Sequence, residues 1–195
     1  MNIDDSTTEL NLSFEQLMLA PIVALLIGTV LIFITAIPYH LGLDNLAGSL
    51  TWGILLAIVT FAIVILLTRL PFSTSLREIC KKLVPIFDGL PLWKVFTLSL
   101  AAGTGEELLF RGFLQQWLAG FMSMEIAILL AALVFGLLHF ASLSYFTLTF
   151  ALGTLFGITY VFSNSLLMIM IWHAVYDMLV MWVFSHRPEL LGLKN

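Results

Sequence analysis

The sequence predicts an all-α fold: a polytopic membrane helical bundle of about six transmembrane helices, with a short amphipathic helix on the cytoplasmic surface. Three observations carry this. First, 61% of the 195 residues are hydrophobic and only 10% are charged, with a mean hydropathy of +1.07. A soluble domain carries about 25% charged residues, so the polar surface here could not cover so large a core. Second, apolar runs long enough to cross a bilayer, about 20 residues each, recur along the chain. Third, the basic residues fall on one side of those runs. The length suits one integral membrane domain over residues 1–195, with the lipid bilayer as its solvent.

Composition also excludes functions. The net charge is −4, and Lys and Arg total 8, too few for a nucleic-acid surface. Cys80 is the single cysteine, which rules out an intrachain disulfide and a thiolate metal cluster.

The N-terminal segment Met1 to Gln16 is acidic and lacks Lys and Arg. A signal peptide has a basic start and a shorter apolar core, so the first apolar run reads as a retained span. Six spans are expected: Leu17 to Ile37, Leu50 to Thr68, Leu92 to Leu118, Met124 to Phe140, Leu143 to Phe162 and Leu166 to Phe184. Very short connections make the last three antiparallel neighbours. Between the second and third spans, Ser75-Leu76-Arg77-Glu78 has the form of a capping box. Leu76, Ile79, Cys80, Leu83 and Phe87 follow at helical spacing, with Arg77, Glu78, Lys81 and Lys82 opposite. That pattern describes a helix lying on the membrane surface, interrupted or ended near Pro85.

With six spans, Arg69, Arg77, Lys81, Lys82, Lys94, Arg187 and Lys194 share one side, and the other side has none. The positive-inside rule then places both termini in the cytoplasm of a multi-pass cell-membrane protein. Gly153-x-x-x-Gly157, and Ala101, Ala102, Gly103 and Gly105, allow close helix approach. Trp52, Trp93, Trp172 and Trp182 read as interface anchors or core, and His40, Asp44 and His186 as interfacial residues without a role.

Chemistry concentrates in three apolar segments. Ionisable groups at bilayer depth are costly and usually functional. Glu107 and Arg111 lie at i and i+4 with the acid first, the favourable order for an ion pair. Glu106 points about 100° away, so Glu107–Arg111 reads as structural and Glu106 as facing a reacting centre. From the non-cytoplasmic side, Glu106, His139 and His173 lie roughly 18, 22 and 12 Å deep, so antiparallel packing can bring them together. Phe135 is one turn before His139 and shapes a pocket or packs. Asp177, one turn after His173, can fix its tautomer or bind substrate.

These motifs, Glu106-Glu107-Leu-Leu-Phe-Arg111, Phe135-Gly-Leu-Leu-His139 and His173-Ala-Val-Tyr-Asp177, resemble those of the CAAX protease and bacteriocin-processing family. That family, also called Abi, comprises intramembrane endopeptidases. The likeness covers Thr104 to about Val180, within a catalytic core of about 92–184. It implies peptide hydrolysis at a membrane-associated peptide or protein substrate, near its terminus. Glu106 would activate a water with His139, and His173 and Asp177 would stabilise the oxyanion. Relatives often carry Asn at the Asp177 position. The resemblance admits two chemistries: a metalloprotease with zinc on Glu106, His139 and His173, or metal-free glutamate catalysis, which the residues favour slightly.

Two other classes fit parts of the pattern. A non-proteolytic immunity or scaffold protein could share the fold, but has no need of costly buried charges. A transporter or proton relay also places Glu and His in membranes, but more often shows broken helices and inverted repeats.

Overall fold

The computed structural model describes residues 12–71 and 73–193. The acidic segment 1–11 and Lys194 lie outside the described residues. The described chain is all-helical: α1 (Phe14–Thr35), α2 (Leu46–Arg69), α3 (Thr74–Phe87), α4 (Leu92–Glu107), a π-helical segment (Leu108–Leu114), α5 (Gln115–Ala119), α6 (Met124–Leu138), α7 (Leu143–Ser163) and α8 (Leu166–His186). Short 3₁₀ turns precede α2 and follow α8.

Four helices are long and apolar enough to cross a membrane: α1, α2 with its leading turn, α7 and α8. The run from Leu92 to Ala119 is helical throughout but carries Glu106, Glu107 and Arg111, which dilute its apolar character. It joins α3 at a 120° bend. α6 has 15 residues, about 22 Å at 1.5 Å per residue, short of a hydrocarbon core of about 30 Å. It ends at Leu138 rather than Phe140, so His139 is the cap residue and not part of the span.

α8 is the centre of the bundle, packing against α2 on one side and α4 on another. Trp172 on α8 donates its indole N–H to Thr60 Oγ1 of α2 at 3.0 Å, so this tryptophan is core and not an anchor. Trp52 and Trp93 are exposed. α1 lies along α4 and the π segment, and α6 pairs with α7. Large side chains such as Phe33, Ile58, Leu66, Leu138 and Phe162 point outward. So broad an apolar exterior is what lipid, not water, would cover.

The close approaches rest on small residues. A Cβ on Gly103 would sit 2.6 Å from the backbone nitrogen of Ala174, so α4 and α8 touch backbone to backbone there. A Cβ on Gly105 would collide with the Pro21 carbonyl of α1. The two glycines therefore set opposite faces of α4 against two neighbours.

Hydrogen bonds define two ends of the bundle. At one end, the α1–α2 loop receives the start of α8: Leu166 N–H donates to His40 O and Leu167 N–H to Leu41 O, both at 3.0 Å. At the other, Arg69 bonds Leu190 O, Ser185 Oγ donates to Leu90 O, and Phe14 packs edge-on against Trp93. Arg69, Arg77, Lys81, Lys82, Lys94 and Arg187 belong to elements at this second end.

α3 has the amphipathic character the spacing predicts, with Leu76, Ile79 and Cys80 buried. Two details differ. The helix starts at Thr74, and Ser73, its cap residue, makes no side-chain bond. Glu78 is taken by Lys81 at 2.8 Å instead of reaching back as a capping box requires. Pro85 lies inside the helix, which continues to Phe87 and turns at Gly89 (φ 66°). A capping box does form, at Ser13 and Gln16 on α1.

Gly103→Val should force α4 and α8 apart at a cost of about 3 kcal/mol or more. The expected outcome is a marked drop in melting temperature and in monodisperse yield by fluorescence-detected size exclusion. Unchanged melting would contradict the backbone contact.

Candidate active site

Two helices and a helix end bring Glu106, His139, His173 and Asp177 together. Glu106 and Glu107 occupy the last turn of α4, just before the π segment. That segment has a wider turn than an α-helix, and such turns recur at functional sites. His139 caps α6, and His173 and Asp177 lie one turn apart on α8.

The structural half is a buried charge network. Glu107 and Arg111 are 0% and 1% exposed. Arg111 Nη1 donates to Glu107 Oε1 at 2.8 Å, and its Nη2 donates to Gly153 O of α7 at 2.9 Å. The rings of Phe110, Phe135 and Phe156 surround the guanidinium at 5.7, 4.8 and 5.3 Å, each presenting a π face or edge to the cation. A Cβ on Gly153 would lie 3.2 Å from Arg111 Nη2, so the small residue is what lets α7 reach the arginine. Glu107 Oε1 also accepts from His173 Nδ1 at 2.8 Å. One carboxylate oxygen thus holds both the arginine and the histidine of α8.

Glu106 faces the other way, into a cavity of about 280 Å³. Its Oε2 lies 3.6 Å from His139 Nε2 and 4.0 Å from His173 Nε2. Both separations exceed a direct hydrogen bond. Asp177 Oδ2 lies 3.4 Å from His173 Nε2. His139 Nδ1 is 2.8 Å from the Phe135 carbonyl, which only accepts, so Nδ1 carries the proton and Nε2 of the neutral ring points its lone pair at Glu106. Phe135 lines the cavity, packs on His139 (centroids 4.5 Å apart) and also stands under Arg111, a contact that was not expected. Phe156 stacks on His173 at 5.3 Å.

Among the described residues, no three His, Cys, Asp or Glu side chains converge as a metal-binding set. Glu106, His139 and His173, the residues admitted as zinc ligands, are therefore not arranged as a metal-binding set.

The cavity is mostly apolar. Leu17 and Pro21 of α1, Leu83 and Phe87 of α3, and Met181 and Phe184 of α8 are part of its lining. A smaller hollow of about 80 Å³ shares Tyr145, Tyr176 and Asp177 with it and reaches Cys80, a buried thiol. His40, Asp44 and His186 take no part.

Several participants were not expected. Tyr176 lines the cavity next to Asp177, and its place inside the His173–Asp177 motif was an available signal. Gln115, fully buried, donates from Nε2 to Gly157 O at 3.3 Å and extends the Arg111–Gly153 arrangement by one turn on each helix. A polar residue four positions after Arg111 marks it. Tyr145 and Phe156 come from α7 with no local signal.

Fold and site together define a multi-pass membrane protein with a carboxylate–imidazole cluster inside its helical bundle. The family model for type II CAAX prenyl endopeptidase Rce1-like proteins matches residues 88–179. This segment holds all three motifs, and through it the chain is similar to the CAAX-type membrane proteases. Comparison with curated proteins and with solved structures finds no match.

Arg111→Ala leaves Glu107 buried without its cation. Breaking such a pair costs about 3–5 kcal/mol. Loss of folded protein is expected, with partial recovery in Arg111→Ala/Glu107→Ala, both read by thermal melting. Equal stability of Arg111→Ala and wild type would contradict a structural pair.

Proposed function

We propose that the chain is an intramembrane endopeptidase that hydrolyses a peptide bond near the terminus of a membrane-associated substrate, by water activated between Glu106 and His139. The observation that carries this reading is one oxygen, Glu106 Oε2, with two imidazole Nε2 atoms within 4.0 Å of it, at the inner end of an apolar cavity. A carboxylate and a neutral imidazole with its lone pair inward are the acceptors that a nucleophilic water needs.

The water's oxygen attacks the scissile carbonyl carbon, and its proton passes to Glu106 or His139. Charge builds on the carbonyl oxygen. His173, whose Nδ1–H is tied to Glu107, presents Nε2–H to that oxygen in its imidazolium form, with Asp177 beside it. Collapse of the tetrahedral intermediate breaks the C–N bond, and the proton held by Glu106 or His139 goes to the leaving amine. Glu107 acts by positioning: it accepts from His173 Nδ1–H and holds the ring in one orientation, as outer carboxylates do for other active-site histidines.

The apolar approach suits a substrate segment drawn from the membrane, in keeping with a family named for prenylated peptides. The cavity's lining includes Leu83 and Phe87 of α3, the helix that carries Arg77, Lys81 and Lys82, so by the positive-inside rule substrate entry is assigned to the cytoplasmic side.

Glu106→Gln, His139→Ala and His173→Ala should each abolish cleavage while still inserting. Protein termini compared between cells making wild type and Glu106→Gln provide the measurement. New termini with wild type alone are expected; identical profiles, with both proteins in the membrane, would shift the reading to a scaffold or immunity role. Asp177→Asn should keep most activity, because the amide keeps a polar partner beside His173 Nε2 and can itself donate to the oxyanion, whereas Asp177→Leu removes that partner and should lose about 10²-fold or more in kcat, the scale of losing one oxyanion donor. Equal activity of the two variants would remove Asp177 from the mechanism. Activity is expected to survive dialysis against a chelator; loss restored by zinc would reverse the metal-free assignment.

A further inference from the structure

A second concave site lies at the basic end, apart from the catalytic cavity. It is a hollow of about 480 Å³ between the end of α2, the first turns of α3 and the turn after α8, lined by Thr68, Arg69, Thr74, Arg77, Glu78 and Lys81 among others. Its lining has three cations and one carboxylate. Glu78 is engaged by Lys81 at 2.8 Å. Arg69 and Arg77 have no acidic partner among the described residues; both are held by backbone carbonyls instead. Arg69 donates from Nε and Nη2 to Leu190 O at 3.2 and 3.1 Å. Arg77 donates from Nη1 to Thr68 O and Leu70 O, both at 2.8 Å. Those bonds fix two guanidinium groups, and among the described residues the Nε and Nη2 donors of Arg77 have no partner. Fixed guanidinium donors favour bidentate capture of phosphate.

We propose that this hollow binds the phosphate group of an anionic membrane lipid. The position favours a lipid over a soluble phosphate. Arg69 is the last residue of the 24-residue apolar helix α2, which places the hollow at headgroup level. Directly along α2 from it, Val59, Ile63 and Leu66 are each more than half exposed and follow one another at helical spacing. That stripe is a track for an acyl chain whose phosphate sits on Arg69 and Arg77. Basic pockets beside membrane helices recognise headgroups in this way. α3 contributes to both sites: Arg77 and Lys81 face the hollow, while Leu83 and Phe87 line the catalytic cavity. A bound headgroup would therefore hold one wall of the catalytic cavity in place.

The test is thermal melting of the purified full chain in detergent, with phosphatidylglycerol or phosphatidylcholine of identical acyl chains added, and inorganic phosphate as a third arm. At saturating phosphatidylglycerol the melting temperature should rise by about 5 °C or more. Arg69→Gln/Lys81→Gln should lose that rise. Lys94→Gln should keep it, since Lys94 lies over the Phe14 and Trp93 rings, outside the hollow. Native mass spectrometry of wild type, in competition between the two lipids, reads the same preference should the double variant not fold. Equal effects of the two lipids, a rise retained in the double variant, or an equal rise with inorganic phosphate alone would each overturn the proposal.

Discussion

A buried ion pair organises this bundle. Glu107 and Arg111 cannot be solvated where they lie, so their charges are stabilised by partners in the protein. That demand draws in the neighbours: α7 offers the Gly153 carbonyl, α8 offers His173 Nδ1, and three phenylalanines close around the cation. Helices in a bilayer gain little from burying apolar surface against one another, because lipid is equally apolar. Such polar contacts, together with close packing at small residues, can decide which helix meets which. Here they place the outward carboxylate, Glu106, and the second face of His173 in the same cavity.

The two adjacent glutamates thus divide between support and display by rotation alone. One residue apart on a helix is about 100°, enough to bury Glu107 completely and leave Glu106 lining the cavity. The imidazoles are set by their other nitrogens. His139 is oriented by the carbonyl one turn back on its own helix, and His173 by Glu107. Each ring is fixed on one side and faces Glu106 with the other. This is the economy of a preorganised site: the orienting bonds form in the folded protein, before any substrate arrives.

The cavity takes its character from elements outside the matched segment. α1 and α3 supply much of its apolar approach, through Leu17, Pro21, Leu83 and Phe87. The matched segment begins at residue 88, so the motifs carry the polar cluster while the earlier helices shape what reaches it. α3, bent at 120° to the following helix, is amphipathic, and this one helix lines both the basic hollow and the apolar cavity that holds Glu106.

Much of this was legible in the sequence, for physical reasons. Apolar runs of membrane length declare helices, because no other lone segment satisfies its backbone in lipid. Charges inside such runs declare a site, because nothing else offsets their cost. The i, i+4 spacing of Glu107 and Arg111 declared their pair. Local signals failed where competing partners existed: Ser75 and Glu78 have the letters of a capping box, but Lys81 claims the glutamate and the helix begins at Thr74. Pro85 does not end α3, and the π segment after Glu107 left no trace in the pattern. What the sequence by itself determined was the membrane class, the helical order and the ionisable residues, since each follows from spacing within one segment. Only the tertiary structure decided that Glu107 would join Arg111 to His173, that α7 would bring Gly153, Tyr145 and Phe156 to the site, and that Glu106 would stand between two imidazoles. Those contacts span dozens of residues, and they depend on how closely neighbouring helices approach, which no spacing within a single helix encodes.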